Sequence, residues 1–104
     1  MTAFDPLAEC VGFDWDDSNV AKNWERHKVT PDEAEDIFFH DPLVVRSDQR
    51  HSSTEKRYRA LGRTARNRLL FAAFVVRRKL IRVVSVRDMN QREIEEYRRH
   101  ERNS

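Results

Sequence analysis

The most informative stretch of this chain is Leu-Leu-Phe-Ala-Ala-Phe-Val-Val, at residues 69–76. Every position in it is apolar, whereas a strand with one face in water alternates apolar and polar residues. We therefore predict that Leu69–Val76 forms a strand at the centre of a sheet, where both of its faces are covered.

Strand-like sequence continues on both sides of this segment, with a hydrophobic period of two. Arg77-Arg78-Lys79 is predicted to turn the chain into the next strand. Thr64–Asn67 is predicted to form a tight turn before it, because Asn67 can adopt a left-handed conformation. A polar loop at residues 48–54 separates the two earlier strands. The predicted meander consists, in chain order, of Leu43–Ser47, Glu55–Arg63, Leu69–Val76 and Leu80–Arg87.

Helix signals precede the meander. Thr30 can cap a helix that starts at Pro31, and Glu33 completes a capping box. An earlier helix is predicted over residues 18–27. Before it, Val11–Trp15 alternates apolar and polar residues, as a short edge strand would. The sequence therefore predicts two N-terminal helices and allows one extra N-terminal strand.

A further helix is predicted after the meander. Asn90-Gln91-Arg92-Glu93 is a second capping box, and the helix that it opens is predicted to run to about Arg99. The fold class is therefore α+β, with two N-terminal helices, an antiparallel meander of about four strands and one C-terminal helix. We expect residues 1–104 to form a single domain, with irregular ends at residues 1–10 and 101–104.

Charge is divided between the two parts of the chain. Residues 1–44 carry eleven Asp and Glu against three Lys and Arg, a formal −8, whereas residues 45–104 carry seventeen Lys and Arg against seven Asp and Glu, a formal +10. Fifteen of these seventeen cations are Arg, whose fixed fork of donors matches phosphate geometry. A strand-rich part this basic indicates an anionic partner, with nucleic acid as the first candidate. The alternative is that mixed charge only keeps a small domain in solution.

Several classes of protein are disfavoured by composition. No segment approaches the roughly 18 consecutive apolar residues of a membrane span, and Met1–Pro6 lacks the basic start and apolar stretch of a signal peptide. Cys10 is the only cysteine, which fits a reducing cytoplasm. The four histidines are scattered and no Cys-x-x-Cys occurs, so we predict neither a metal site nor a cofactor.

A set of short motifs runs through residues 13–99. They are Phe13-x-Trp15-Asp16, Asn23, His27-x-Val29, Glu33-Ala34, Phe38, Asp41-Pro42-Leu43, Arg50-His51-Ser52, Glu55-x-Arg57, Gly62-Arg63, Leu69-Leu70, Ile81-Arg82-x-x-Ser85-x-Arg87 and Glu93-x-x-x-Tyr97. In order and spacing these motifs resemble the BrnT family, the toxin half of a bacterial type II toxin–antitoxin pair. The chain departs from the family's pattern at Asn19, where a Lys is usual, and at Arg26 and Lys28.

The resemblance implies a RelE-like fold and a cytoplasmic endoribonuclease that arrests translation. It also implies a partner, a BrnA-type antitoxin whose ribbon-helix-helix part binds operator DNA. The toxin would then contact DNA only through its antitoxin, in a complex that could be a heterotetramer.

Cleavage of RNA without a metal needs a base for the 2′-hydroxyl, cations for the charged phosphorane and an acid for the leaving 5′-oxygen. The 2′-hydroxyl is itself the nucleophile, so the protein need not supply one. The candidate catalytic residues are His51, Glu55, Arg63, Arg82, Arg87 and Tyr97, and the candidate RNA-binding residues are Arg50, Arg57 and Arg59.

Two of these candidates lie on one predicted strand. The odd spacing of Arg82 and Arg87 places them on opposite faces of a regular strand. They can serve one phosphate only if a bulge or the end of the strand redirects Arg87. The structural alternative for Arg82 is an ion pair that ties the strand to the helix layer, and for Glu55 it is a cross-strand pair with an arginine.

The remaining candidates also have two interpretations. His51 lies in a polar loop, where an imidazole could act as base or acid near neutral pH, although most loop histidines have no such role. Arg57, Arg59 and Arg63 share one predicted strand face and could follow an RNA backbone, or they could form a solvated basic face. Tyr97 is expected to bury its ring, with its hydroxyl within reach of the edge of the site.

Two other functions remain open at this point. A non-catalytic module would bind RNA or DNA with a steep dependence on salt and leave it intact. A protein-binding subunit of a repressor complex would instead place its basic face against an acidic partner.

Overall fold

A computed structural model of the chain describes residues 5–51 and 55–103, without the side chain of His51. Three helices and five strands form its regular structure. In chain order they are β1 (Gly12–Asp14), α1 (Asp17–His27), α2 (Pro31–Asp36), β2 (Val44–Ser47), β3 (Tyr58–Arg63), β4 (Leu69–Arg77), β5 (Leu80–Asp88) and α3 (Gln91–Arg102). Single 3₁₀ turns lie at Ile37–Phe39 and Gln49–His51.

The strands form one sheet in the order β1-β5-β4-β3-β2. The predicted central position of the apolar stretch is confirmed, since β4 is the third of the five strands. Leu70, Ala72 and Phe74 are buried on one face of β4, and Ala73 and Val75 are buried on the other. Strands β2 to β5 form an antiparallel meander, as the sequence predicts.

The α+β class is as predicted, but the order of elements differs at the start. The regular structure begins with a strand, β1, which pairs parallel to β5 through Gly12–Leu80 and Asp14–Arg82. The sheet therefore has a fifth strand outside the meander. This parallel pairing requires a crossover, and the path from β1 to β5 runs through the helices and the rest of the sheet.

Three predicted boundaries also need correction. The strand predicted from Glu55 begins only at Tyr58, where its pairing with both β2 and β4 begins. The sequence predicts that Asp41-Pro42 ends the helix that starts at Pro31, but α2 gives way to a 3₁₀ turn already after Asp36. Helix α3 continues past Arg99 to Arg102, since nothing in the sequence between these residues interrupts a helix.

One face of the sheet is covered by α1 and α2, and we call it the helical face. Residues of α2 and of its flanks pack with β3, β4 and β5 in the main core. The predicted capping box at the start of α2 is present. The Thr30 side chain accepts a hydrogen bond from the Glu33 N–H at 3.2 Å, and the Glu33 carboxylate accepts one from the Thr30 N–H at 3.1 Å. The core residues are Val29, Ala34, Ile37, Tyr58, Ala60, Leu70, Ala72, Phe74, Ile81, Val83 and Val86.

The opposite face is covered only in part. Helix α3 places Tyr97 and Ile94 over Val44, Leu61 and Phe71, near the end of the sheet where β3 and β4 are joined by their turn. This second core is small. The strand residues beyond the reach of α3 form an open sheet face.

A β-bulge in β5 decides which side chains point to that open face. Ala73 pairs with Ser85 and Phe74 pairs with Val83, so Val84 is an extra residue in β5. A bulge shifts the alternation of side chains by one position. As a result Arg82 and Arg87, which would lie on opposite faces of a regular strand, lie on the same face as Ser85.

Candidate active site

The register of the sheet brings five positions together on the open face. Arg59, Ala73 and Ser85 are direct cross-strand neighbours on β3, β4 and β5. Arg82 and Arg87 lie on either side of Ser85 along β5. Short side chains lie at the centre and long cationic ones around them. We call this region the arginine surface and define it by Arg59, Ala73, Arg82, Ser85 and Arg87.

Arg87 is held by the start of helix α3. Its guanidinium donates two hydrogen bonds to the Glu93 carboxylate, at 2.8 and 3.0 Å, and one to the Asp88 carbonyl at 3.1 Å. It also lies 4.1 Å from the centre of the Phe71 ring. Three of the five guanidinium N–H donors are thereby occupied, which leaves two for a ligand.

The partner of Arg87 is itself fixed. The Glu93 carboxylate accepts a hydrogen bond from the Asn90 N–H at 2.9 Å, and the Asn90 side chain accepts one from the Glu93 N–H. Burial alone would raise the pKa of Glu93, but the hydrogen bonds from Arg87 and Asn90 outweigh it and lower that pKa. Glu93 therefore stays ionised and Arg87 keeps one orientation.

Arg82 is tied to the edge of the sheet. It donates to Asp14 of β1 at 2.9 Å and to Asp16, the residue that caps α1, at 3.0 Å. Its side chain is 22% exposed. This is the geometry expected of a structural arginine, and the two contacts use only two of the five guanidinium N–H donors.

Glu55 lies in the loop before β3 and faces Arg77, at the end of β4. The two side chains form a double hydrogen bond, with both distances 2.7 Å. The hydrogen bonds from Arg77 lower the pKa of Glu55, and they outweigh the opposite effect of burial. A carboxylate held in this way is a weak base.

Arg63 and Tyr97 form a separate group. The Arg63 Nε–H donates to the Asp41 carbonyl at 3.1 Å, and the Tyr97 hydroxyl donates to the Pro42 carbonyl at 2.8 Å. Tyr97 is fully buried, and this burial raises the pKa of its hydroxyl. Both residues lie beyond Leu61, which α3 covers, so the structure does not bring them to the arginine surface.

The predicted line of cations is divided in a similar way. Arg57 precedes β3, and its carbonyl accepts a hydrogen bond from the Asp48 N–H at 2.8 Å. Arg59 is exposed on the open face. Its side chain forms no hydrogen bond or ion pair with any residue that the structure describes. Arg50 and Arg59 share an open cleft beside the end of β2.

The backbone of His51 closes the 3₁₀ turn after β2. Its side chain and residues 52–54 lie outside the described part of the chain. The contact between Glu55 and Arg77 fixes one end of this loop near the turn between β4 and β5.

Several residues of this region were not singled out from the sequence. The alternation of Val44 and Arg46 in a predicted strand could have placed Arg46 on the open face. Glu93 was explained by its cap alone. Phe71 was expected only in the core, and its contact with Arg87 depends on the bulge, which the sequence does not reveal.

Among residues 5–51 and 55–103, no helix is long and apolar enough to cross a membrane. In the same residues no group of three or more His, Cys, Asp or Glu side chains is placed to hold a metal ion.

Comparisons with known proteins identify a family. No individually curated protein matches the chain. A family model matches residues 15–93, most of the chain, and its description is "ribonuclease toxin, BrnT, of type II toxin-antitoxin system". The matched span includes every residue of the arginine surface, and membership of a type II system implies a protein antitoxin as partner. The chain therefore belongs to the BrnT family of ribonuclease toxins.

Proposed function

We propose that this protein is a metal-independent endoribonuclease that binds RNA on the arginine surface and inhibits translation. Cleavage proceeds by attack of a 2′-hydroxyl on the adjacent phosphorus and leaves a 2′,3′-cyclic phosphate and a 5′-hydroxyl. The observation that supports this most directly is the convergence of Arg59, Arg82 and Arg87 around Ala73 and Ser85. Three guanidinium groups, on the two strands that flank β4, suit a phosphate that gains charge in the transition state.

Arg87 is the main phosphate ligand in this proposal. Glu93 fixes the guanidinium, so that its two remaining donors keep their direction when the substrate arrives. A preorganised donor costs little reorganisation during the reaction, which is why such groups are effective. Arg82 serves the neighbouring phosphate oxygen, and Arg59 contacts the RNA on the far side of Ala73.

Proton transfer is assigned to His51. Glu55 is the other candidate base, but its pairing with Arg77 and its lowered pKa make it a poor one. An imidazole has an ordinary pKa of about 6.5 and can act as base or acid near neutrality. The loop that carries His51 ends at Glu55, which pairs with Arg77 at the end of β4. Arg77 lies two residues after Val75, and Val75 is the direct cross-strand neighbour of Arg82.

The partner that we propose is a BrnA-type antitoxin with a ribbon-helix-helix part. Family membership supports a protein antitoxin. In our proposal the toxin contacts operator DNA only through that antitoxin, within a heterotetramer.

The test compares the purified chain with two variants, Arg87→Ala and Arg99→Ala, on a defined RNA in the presence of a chelator. Arg99 is an exposed residue of α3, so its replacement controls for the loss of one positive charge. We expect cleavage by the wild type and by Arg99→Ala, with cyclic-phosphate ends, and a decrease of about 100-fold or more for Arg87→Ala. Thermal unfolding of each variant shows whether it is folded.

Two results would contradict the proposal. Fragments with 3′-hydroxyl and 5′-phosphate ends would exclude attack by the 2′-hydroxyl. Intact RNA that binds with a steep salt dependence would favour the second candidate, a non-catalytic RNA-binding module. The observation in favour of that candidate is that Arg82 and Arg87 are both already paired with carboxylates.

A further inference from the structure

We infer that the cleft between α3 and strands β2–β4 is a subsite for an unpaired guanine base of the RNA. The inference deepens the proposed ribonuclease function and rests on it. The cleft adjoins the arginine surface. Arg59 lines the cleft and belongs to that surface, and Phe71 lines the cleft and contacts Arg87 of that surface. A base next to the bound phosphate could therefore enter it.

The floor of the cleft is apolar. Val44, Leu61 and Phe71 form it, and the Phe71 ring is only partly buried. The cleft encloses about 50 Å³, which is room for more than a single water molecule. It is suited to the edge of a base, whose remaining ring atoms would stay over the arginine surface.

The walls carry hydrogen-bonding groups of both kinds. Arg46 and Arg59 supply donors, and Glu93 and Glu96 of α3 supply acceptors. Arg46 donates two hydrogen bonds to Glu96, both to the oxygen Oε2, at 3.3 and 3.1 Å, and its guanidinium also lies 3.4 Å from His100 Nε2. The Glu96 Oε1 atom is therefore the acceptor left for a ligand, and Arg59 is the corresponding donor.

The position of Arg59 is unusual for a sheet. Arg46 and Arg59 are directly opposite each other on β2 and β3, and like charges in that position are destabilising. Arg46 is compensated by Glu96. Arg59 acts on Glu93 only at longer range, where its charge helps to lower the Glu93 pKa, and it forms no hydrogen bond within the described residues. A ligand with acceptor atoms would complete this arrangement.

Guanine is the base that matches these groups. Its O6 and N7 atoms accept two hydrogen bonds from one arginine, the commonest specific contact between a side chain and a base. Its N1–H and N2–H groups, next to O6, donate to a carboxylate. Proteins recognise unpaired RNA bases by such hydrogen bonds to exposed edges, together with contact to an aromatic ring. We assign the O6 and N7 atoms to Arg59 and the N1–H edge to Glu96.

The alternative role of these residues is structural. The Arg46–Glu96 pair joins α3 to β2, and both partners are substantially exposed, at 53% and 32% of the side-chain surface. Exposed pairs of this kind contribute little to stability. A purely structural pair predicts that its loss changes thermal unfolding but not the choice of base.

The test measures binding of short RNA-like oligonucleotides that lack every 2′-hydroxyl, so that they cannot be cleaved by 2′-hydroxyl attack. Four oligonucleotides differ at one position, which carries guanine, 7-deazaguanine, hypoxanthine or uracil. The first modified base lacks the N7 acceptor, and hypoxanthine lacks the N2 amino group. We expect the wild type to bind the guanine oligonucleotide about tenfold more tightly than the uracil one, with intermediate affinity for the two modified bases.

Two variants and a control make the test specific. Glu96→Gln and Arg59→Gln are expected to reduce the preference for guanine to less than about twofold, whereas Glu95→Gln, an exposed neighbour on α3, should keep it. Equal affinity of the wild type for all four oligonucleotides would overturn the inference. So would a guanine preference that persists in both Glu96→Gln and Arg59→Gln.

Failure of the proposed function is distinguishable from failure of this inference. The binding experiment does not require cleavage, so an inactive protein can still show the guanine preference. An active ribonuclease without any base preference would support the proposed function and contradict the subsite.

Discussion

At the scale of single residues, Glu93 connects fold and chemistry. Its carboxylate accepts hydrogen bonds from the Asn90 N–H, which belongs to the cap of α3, and from the Arg87 guanidinium. One side chain thus fixes a helix start and the orientation of the proposed phosphate ligand. Its replacement should affect both stability and activity.

Glu93→Gln tests this coupling through pH. The pKa of Glu93 is lowered in the folded protein, so its contribution to the free energy of unfolding is present above the unfolded-state pKa of about 4.3 and is lost as the pH falls through the folded-state value. At pH 7 we expect Glu93→Gln to reduce the free energy of unfolding by about 1–2 kcal/mol. Below about pH 4 the difference from the wild type should shrink.

Urea unfolding at several pH values would check this prediction. Glu95→Gln serves as the control, because Glu95 is an exposed residue of α3 whose side chain accepts a hydrogen bond of 3.5 Å from the uncharged Gln91. A constant difference between Glu93→Gln and the wild type from pH 7 to about pH 3 would show that the ion pair with Arg87 does not contribute.

Gly62 shows a second effect at this scale, the close approach of two segments. A Cβ atom at this position would lie 2.9 Å from Ile37 Cβ and 3.2 Å from the Ile37 carbonyl oxygen. We expect Gly62→Ala to destabilise the protein by about 1–3 kcal/mol, as overpacking does. Gly12→Ala is the matched control, since its nearest neighbour would be Leu80 Cδ2 at 3.5 Å, an ordinary contact. Thermal unfolding of both variants measures this loss of stability, and an equal loss in the two variants would contradict the packing argument.

At the scale of elements, helix α3 depends on its first turn. The Asn90 side chain accepts a hydrogen bond from the Glu93 N–H at 2.9 Å, and loss of such a cap costs about 1 kcal/mol. We expect Asn90→Ala to lower the free energy of unfolding by that amount and Gln91→Ala, one residue later and exposed, to lower it far less. Urea unfolding at neutral pH measures both, and a similar loss in the two variants would indicate that the cap is not the cause.

The elements also show what a sequence reveals. The period-two alternation and the two capping boxes predict the meander and the starts of α2 and α3, because these patterns record local burial and local hydrogen bonds. The parallel pairing of β1 with β5 is not local, so three residues of alternation could only suggest it. The bulge at Val84 is likewise not predicted by the sequence, because no residue type in β5 marks it.

The bulge decides whether Arg82 and Arg87 share a face of the sheet. Arg82 and Arg87 were expected to serve one phosphate only if something redirected Arg87, and the extra residue places both on the open face. The sequence does not show that Arg63 and Tyr97 lie away from the arginine surface, because that distance depends on how α3 lies across β3. The roles of all these residues remain predictions until they are tested by substitution.

At the scale of the whole molecule, the division of charge should govern binding. The acidic part of the sequence forms β1, α1 and α2, and both helices lie on the helical face, while arginines lie on the open face. RNA should therefore bind on one side. The logarithm of the affinity for single-stranded RNA falls with the logarithm of salt by about 0.7 for each phosphate neutralised.

Removal of one such contact should reduce that slope. We expect Arg87→Gln to reduce it by about 0.7 and Arg99→Gln to leave it unchanged. Titrations of a labelled RNA between about 50 and 200 mM salt give the slopes. If Arg87→Gln lowered the affinity without changing the slope, Arg87 would not be contacting phosphate.

The pairing of β1 with β5 has a practical consequence for the family match. That match begins at Trp15, one residue after β1 ends. A chain trimmed to residues 15–93 would lose β1 and most of α3, and the first three residues of β5, which pair with β1, would then present unpaired backbone N–H and C=O groups to other molecules. Arg82 would also lose Asp14, its partner on β1. Such a fragment should form intermolecular strand pairs and aggregate, so the segment before Trp15 protects the sheet from self-association.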